Sequence, residues 1–175
     1  MGDKPLFGET KKVSMTPMQK VQLYLESKNY QNLQHMEGGR TFVDKALYSK
    51  GERNEALQQG TTIRLAPASV KRMVSDLTAE EMELAHLLEK YYNEYARDKI
   101  NKVSNVLYGY DKAMADYYAP IFTNQNYNKS TPGVFNVTAE GVGHLKTREK
   151  VSKNPSYNLS AIDAFQRHVE QTSRF

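Results

Sequence analysis

The stretch that most constrains the fold runs from Leu77 to Gly109, LTAEEMELAHLLEKYYNEYARDKINKVSNVLYG. It reads as a single long helix. Thr78 can accept from the amide three residues on, and Glu81 can reach back to the amide of Thr78, which together make a capping box. Glu80, Glu81 and Glu83 sit in the first turns, where the helix dipole favours negative charge. The apolar positions Leu84, Leu88, Tyr91 and Tyr95, then Ala96, Ile100, Val103 and Leu107, recur every three or four residues and predict one buried stripe. Gly109 supplies a left-handed stop at little cost. A helix of this length spans roughly 45 Å and needs a packing partner along most of it, because propensity alone makes only marginal helices.

Shorter elements are placed around it. Thr16-Pro17 opens an earlier helix, with apolar positions at Met18, Val21, Leu25, Leu33 and Met36 and Tyr24 beside them; Gly38-Gly39 ends it. Between residues 40 and 65, Phe42, Val43, Leu47 and Tyr48 are apolar islands. Short helices are expected near 44–49 and 54–59, and TTIRL at 61–65 predicts a short strand. Pro67 begins a helix over 68–75 that uses Val70, Met73 and Val74. A further short helix precedes Pro120. Residues 123–155, rich in Asn, Ser, Thr, Gly and Lys, predict an irregular arm with a strand at 133–137. Ser160 caps a last helix carrying Ile162, Phe165 and Val169 on one face. No Gly, Pro or polar tail follows Phe175, which predicts a helix cut from a longer chain with part of its core elsewhere. The expected fold is mainly α, an irregular helical assembly around one long helix at about 78–108. Its expected divisions are a lead-in at 1–15, a helical domain at 16–122, the arm at 123–155 and the opening of a truncated helix at 156–175.

Composition narrows the function classes. Hydrophobic residues make up 39% of the 175, and the net charge is +4. Weak basicity permits an acidic partner or nucleic acid but does not require either. With no cysteine, disulfides, thiol catalysis and cysteine metal sites are excluded. No apolar run is long enough to cross a bilayer, and the N-terminus lacks the apolar centre of a signal peptide. The three glycosylation-type triplets, at Asn128, Asn136 and Asn158, are read as chance.

Four features bear on chemistry. Glu83-x-x-His86 has the spacing of a carboxylate-bridged metal helix, but such sites need the motif twice and two more glutamates. We read it as a solvated histidine beside acidic neighbours, and expect no metal and no cofactor. His35, His86, His144 and His168 fall in no nucleophile or zinc motif, and no phosphate-binding glycine loop occurs. Tyr91, Tyr92, Tyr95, Tyr108, Tyr110, Tyr117, Tyr118 and Tyr127 form a local tyrosine cluster. It reads first as helix packing and second as a stacking platform for single-stranded bases, with Tyr92 and Tyr110 as the stacking candidates. The basic run at 144–153 places Lys146, Arg148, Lys150 and Lys153 against one glutamate. It reads as a solvated loop or, in the second reading, as a phosphate-binding arm.

Several segments taken in order resemble a known kind of sequence: SMTPMQKVQLYL, the Gly38-Gly39 break, the span from Lys50-Gly51 to Ile63–Leu65, LTAEE, KINKVSNVLYGY, YYAPI and NPSYNLSAIDAFQRHVEQTSRF. They resemble a region of very large multidomain proteins, polyvalent or virion-associated, encoded by phages and integrative mobile elements of Firmicutes. The resemblance covers most of the chain from Ser14 onward. One departure is Ala119, where the related sequences carry Phe. The resemblance implies a structural or packing module without catalysis of its own. It implies the rest of the same large polypeptide or other virion proteins as partners, and the bacterial cytoplasm or the phage particle as location. A nucleic-acid-binding module is the alternative, with DNA as partner.

Overall fold

The computed structural model describes residues 13–43, 46, 50, 60–112, 117–123 and 155–173. It is mainly helical with a small three-stranded sheet. The short helices expected at 44–49 and 54–59, the one before Pro120 and the strand at 133–137 lie wholly or mostly outside these residues.

The expected helix from Pro17 to Gly38 is two helices, α1 (Pro17–Ser27) and α2 (Tyr30–Gly38). Thr16 caps α1 in a full capping box with Gln19. The chain then breaks at Lys28, and Asn29 caps α2 by accepting from the amides of Gln31 and Asn32. β1 (Arg40–Phe42) follows at once. β2 (Thr61–Ile63) falls in the expected strand segment and pairs antiparallel with β1, Thr41 opposite Thr62, with their hydroxyls 2.8 Å apart. α3 (Pro67–Met73) starts at its proline, as the sequence predicts.

The long helix is present over 30 residues. It comprises α4 (Ala79–Lys90), a π-helical turn (Tyr91–Ala96) and α5 (Arg97–Tyr108). The Thr78–Glu81 capping box forms, and Gly109 closes the helix with φ 76°. Its buried positions are Ala85, Leu88, Tyr92, Ala96, Ile100 and Ser104. From Leu88 onward the step is four each time. In an α-helix four residues overshoot a turn by about 40°, so a run of such steps drifts off the core. The wider π turn takes back part of that rotation and keeps the face aligned. The expected stripe is corrected accordingly: Tyr92 is buried in place of Tyr95, which is exposed, and Val103 and Leu107 face outward.

β3 (Ser156–Tyr157) pairs parallel with β1, giving the order β2-β1-β3. Gly39 sits at this junction; a Cβ there would stand 3.1 Å from Cβ of Pro155. α6 (Ala161–Ser173) then packs on α1. Here Ala161, Ala164 and His168 are buried and Ile162, expected on the packing face, is exposed.

The element at the centre is α1 rather than the long helix. On one side Val21 and Leu25 join Ala85, Leu88 and Tyr92 of the long helix, Ala119 and Ala161. On the other, Leu23 joins Met36, Phe42, Leu65 and Val70. A helix with a core on two sides must bury its polar positions as well, and α1 buries Gln19, Gln22 and Glu26.

Candidate functional site: a buried polar network and an exposed helix face

Burial of α1 on two sides dictates the first constellation. Glu26 lies in the interior, where an unpaired carboxylate is costly. Nη1 of Arg40, the first residue of β1, meets its carboxylate at 2.6 Å, with both side chains enclosed. The guanidinium also donates to Ser156 Oγ at 3.0 Å and to Asn158 Oδ1 at 3.1 Å. Gln22 donates to the other Glu26 oxygen at 2.7 Å and to the Pro120 carbonyl at 3.0 Å, and Gln19 donates to the Asn158 carbonyl at 3.1 Å. Six residues from α1, β1 and the β3 segment thus bond largely to one another. The network's chemistry is positional: it pins α1 to the sheet and to the Pro120 segment. Asn158, one of the three glycosylation-type sites, is fully buried within it.

A second buried cluster surrounds His168. Its ring lies 5.1 Å from that of Tyr92, 5.6 Å from Tyr118 and 6.4 Å from Tyr91, and Phe165 stacks edge-on to Tyr91 at 4.9 Å. Burial lowers the His168 pKa to about 4, so the imidazole is neutral near pH 7. Burial likewise raises the phenol of Tyr92 above its ordinary value.

The π turn meets the segment after Gly109 through Asn93. Its side-chain nitrogen donates to the carbonyls of Glu89 (2.9 Å) and Tyr118 (3.3 Å), and its oxygen accepts from the Tyr118 amide at 2.6 Å. Tyr117, beside it, takes φ 51°. An open cleft of about 640 Å³ lies along this face, lined by His86, Glu89, Lys90, Asn93, Glu94, Arg97 and Tyr117. Lys28 bridges Glu89 at 2.8 Å at its edge. Burial, the largest single influence on Lys28, lowers its pKa, but the hydrogen bond and charge of Glu89 outweigh it and the net shift is upward.

Glu83 and His86 are both exposed, and the described residues contain no group of three or more His, Asp or Glu placed to hold a metal. Of the base-stacking candidates, Tyr92 is 0% exposed and has no face to offer a base, a correction that follows from its place on the core side of the π turn. Tyr110 is exposed, with its ring 6.1 Å from that of Tyr108. Lys146, Arg148, Lys150 and Lys153 lie outside the described residues. No helix among the described residues is long and apolar enough to cross a membrane.

The feature that periodicity missed is the outer face of α5. Val106 is 86% exposed and Leu107 58%, with Val103, Tyr108 and Tyr110 also open to solvent. Its trace in the sequence is mixed: periodicity puts Val103 and Leu107 on the inner stripe, and Val106 falls outside that stripe.

Compared with known families, curated proteins and solved structures, the chain matches none.

Proposed function

We propose that this chain is a structural packing module of a larger phage or mobile-element protein and has no catalytic activity of its own. The observation that carries the reading is the outer face of α5. Large apolar side chains left open on a packed helix point to an interaction site, and Val106 and Leu107 are the most exposed aliphatic residues of α5. The interior supports the same reading, because its buried charge is tied into the Glu26–Arg40 network that locks elements together. The test is incorporation. Val106→Lys with Leu107→Lys, introduced into the chain in its native element, is expected to lower the amount recovered in purified particles or assemblies at unchanged expression. Unchanged incorporation would refute the reading.

A second reading, nucleic-acid binding, draws on the exposed Tyr108–Tyr110 ring pair. Aromatic pairs at a surface can stack unpaired bases. Retention on single-stranded DNA that falls with salt and with Tyr110→Ala would favour it.

A further inference from the structure

We propose that Asn93 sets the rotation of α5: its side chain clamps the backbone of Tyr118, holds the π turn in place, and so fixes which residues α5 turns inward. This deepens the packing reading above and rests on it only for what the outer face of α5 does. A π turn is an α-helix carrying one extra residue, and one residue turns an α-helix by about 100°. In the observed register Ala96, Ile100 and Ser104 face inward. Closing the π turn to α geometry would bring Tyr95, Lys99 and Val103 to those positions instead. The two registers therefore offer a partner different sides of α5.

α geometry is the ordinary state of a helix, and π turns are rare insertions that concentrate at functional sites. Asn93 supplies the hold that opposes it, from within the turn at Tyr91–Ala96. Its Nδ2 donates to the Glu89 carbonyl, four residues back, at 2.9 Å. A side-chain donor inserted into that ladder is one cause of departure from a straight α-helix. The same nitrogen donates to the Tyr118 carbonyl at 3.3 Å, and Oδ1 accepts from the Tyr118 amide at 2.6 Å. The stretch around Tyr118 is anchored from outside the long helix. Gln22 of α1 donates to the Pro120 carbonyl at 3.0 Å, and the Tyr157 amide of β3 donates to the Phe122 carbonyl at 2.8 Å. Ala119 lies in the core beside Val21 and Leu25. Tyr117 takes φ 51° immediately before the clamped residue, a conformation that is costly for a side chain with a Cβ. One asparagine thus ties the middle of the long helix to a stretch held by α1 and the sheet.

The experiment measures the setting of α5 in the full 175-residue chain, which has no cysteine of its own. Spin labels are placed at Gln31→Cys on α2 and, in turn, at Lys102→Cys and Leu107→Cys on α5, and the two label distances are read by pulsed electron resonance. Asn93→Ala is expected to shift at least one distance by several ångströms. Asn93→Asp, which keeps the size but cannot donate to the two carbonyls, is expected to shift it the same way. Deleting Tyr95 alone takes the extra residue out of the turn and is expected to leave both distances at the parent values. Combining that deletion with Asn93→Ala is expected to restore them, because an α turn without the extra residue needs no clamp. A residue that only added stability would not be rescued in this way. Parent distances in Asn93→Ala, or a shift that persists in the combined variant, overturns the proposal. Should Asn93→Ala fail to fold in a thermal melt, the combined variant is expected to fold, and its failure would overturn the proposal as well. A shifted α5 with unchanged particle incorporation would refute the packing function alone. Parent distances in Asn93→Ala, with incorporation still dependent on Val106 and Leu107, would refute the clamp alone.

Discussion

Arg40 meets Glu26 at 2.6 Å in the interior, and neither side chain is more than 2% exposed. Removing one partner of such a pair leaves an uncompensated buried charge, which costs about 3–5 kcal/mol. Arg40→Met is therefore expected to destabilise the protein by that amount, measured by denaturant unfolding. The double variant Glu26→Leu with Arg40→Met should lose much less than the two single changes together. Additive losses would mean that the two groups do not act as a pair.

His168 sets a pH dependence. In the folded protein burial holds it neutral down to about pH 4, whereas its ordinary pKa is 6.5. Between those values the unfolded chain binds the extra proton and the folded one does not. Stability is thus complete above about pH 6.5 and falls as pH drops towards 4, by up to about 3 kcal/mol. His168→Gln should flatten the stability profile in that window relative to the parent. Identical profiles would place the acid sensitivity elsewhere.

Tyr92 offers a change expected to do no harm. Its ring fills the core, but its hydroxyl is buried without a hydrogen-bond partner among the described residues. An unsatisfied buried hydroxyl is a cost rather than a support. Tyr92→Phe is expected to leave stability unchanged or raise it by up to about 1 kcal/mol. Tyr92→Ala, which empties the space, should lose about 3–5 kcal/mol. A destabilised Phe variant in thermal melts would show that the hydroxyl is bound.

Leu88, on the long helix and in the core it shares with Val21 and Leu25 of α1, tests the inner face. Leu88→Ala should cost about 2–5 kcal/mol. At Tyr95, which is exposed, the same truncation should stay within about 0.5 kcal/mol. Equal losses at the two sites would reverse the assignment of faces.

For nucleic acid, the packing reading expects only weak binding that is indifferent to Lys146, Arg148, Lys150 and Lys153. Submicromolar single-strand binding at physiological salt would contradict it. So would a salt slope that flattens by about 0.7–0.9 for each phosphate contact removed.

What could be read in the sequence follows the reach of the signals involved. The capping box at Thr78, the Thr16-Pro17 start of α1, the proline start of α3 and the glycine stop at Gly109 are local chemistry, and each falls where its residues predict. The break between α1 and α2 was hidden because Leu25 and Leu33 keep a helical spacing across it, while the cap at Asn29 carries no apolar mark. Tyr92 and Tyr95 exchanged faces because periodicity assumes α geometry, and the π turn departs from it. β1 and β3 are too short to show alternation, and each depends on a partner far along the chain. The Glu26–Arg40 network was least accessible. Glutamine and glutamate in a helix are ordinarily solvent-facing, and only the two-sided core around α1 reverses that.

The parallel pairing of β1 with β3 has a consequence for synthesis. Arg40 finds Glu26 only 14 residues back, but its hydroxyl and amide partners stand 116 and 118 residues ahead. A nascent chain can form α1, α2 and the first ion pair early. It must then hold one edge of β1 and the flank of α1 open until the segment carrying Ser156 and Asn158 has left the ribosome. The last short strand therefore acts as a latch, and its arrival turns a set of preformed pieces into a cooperative unit.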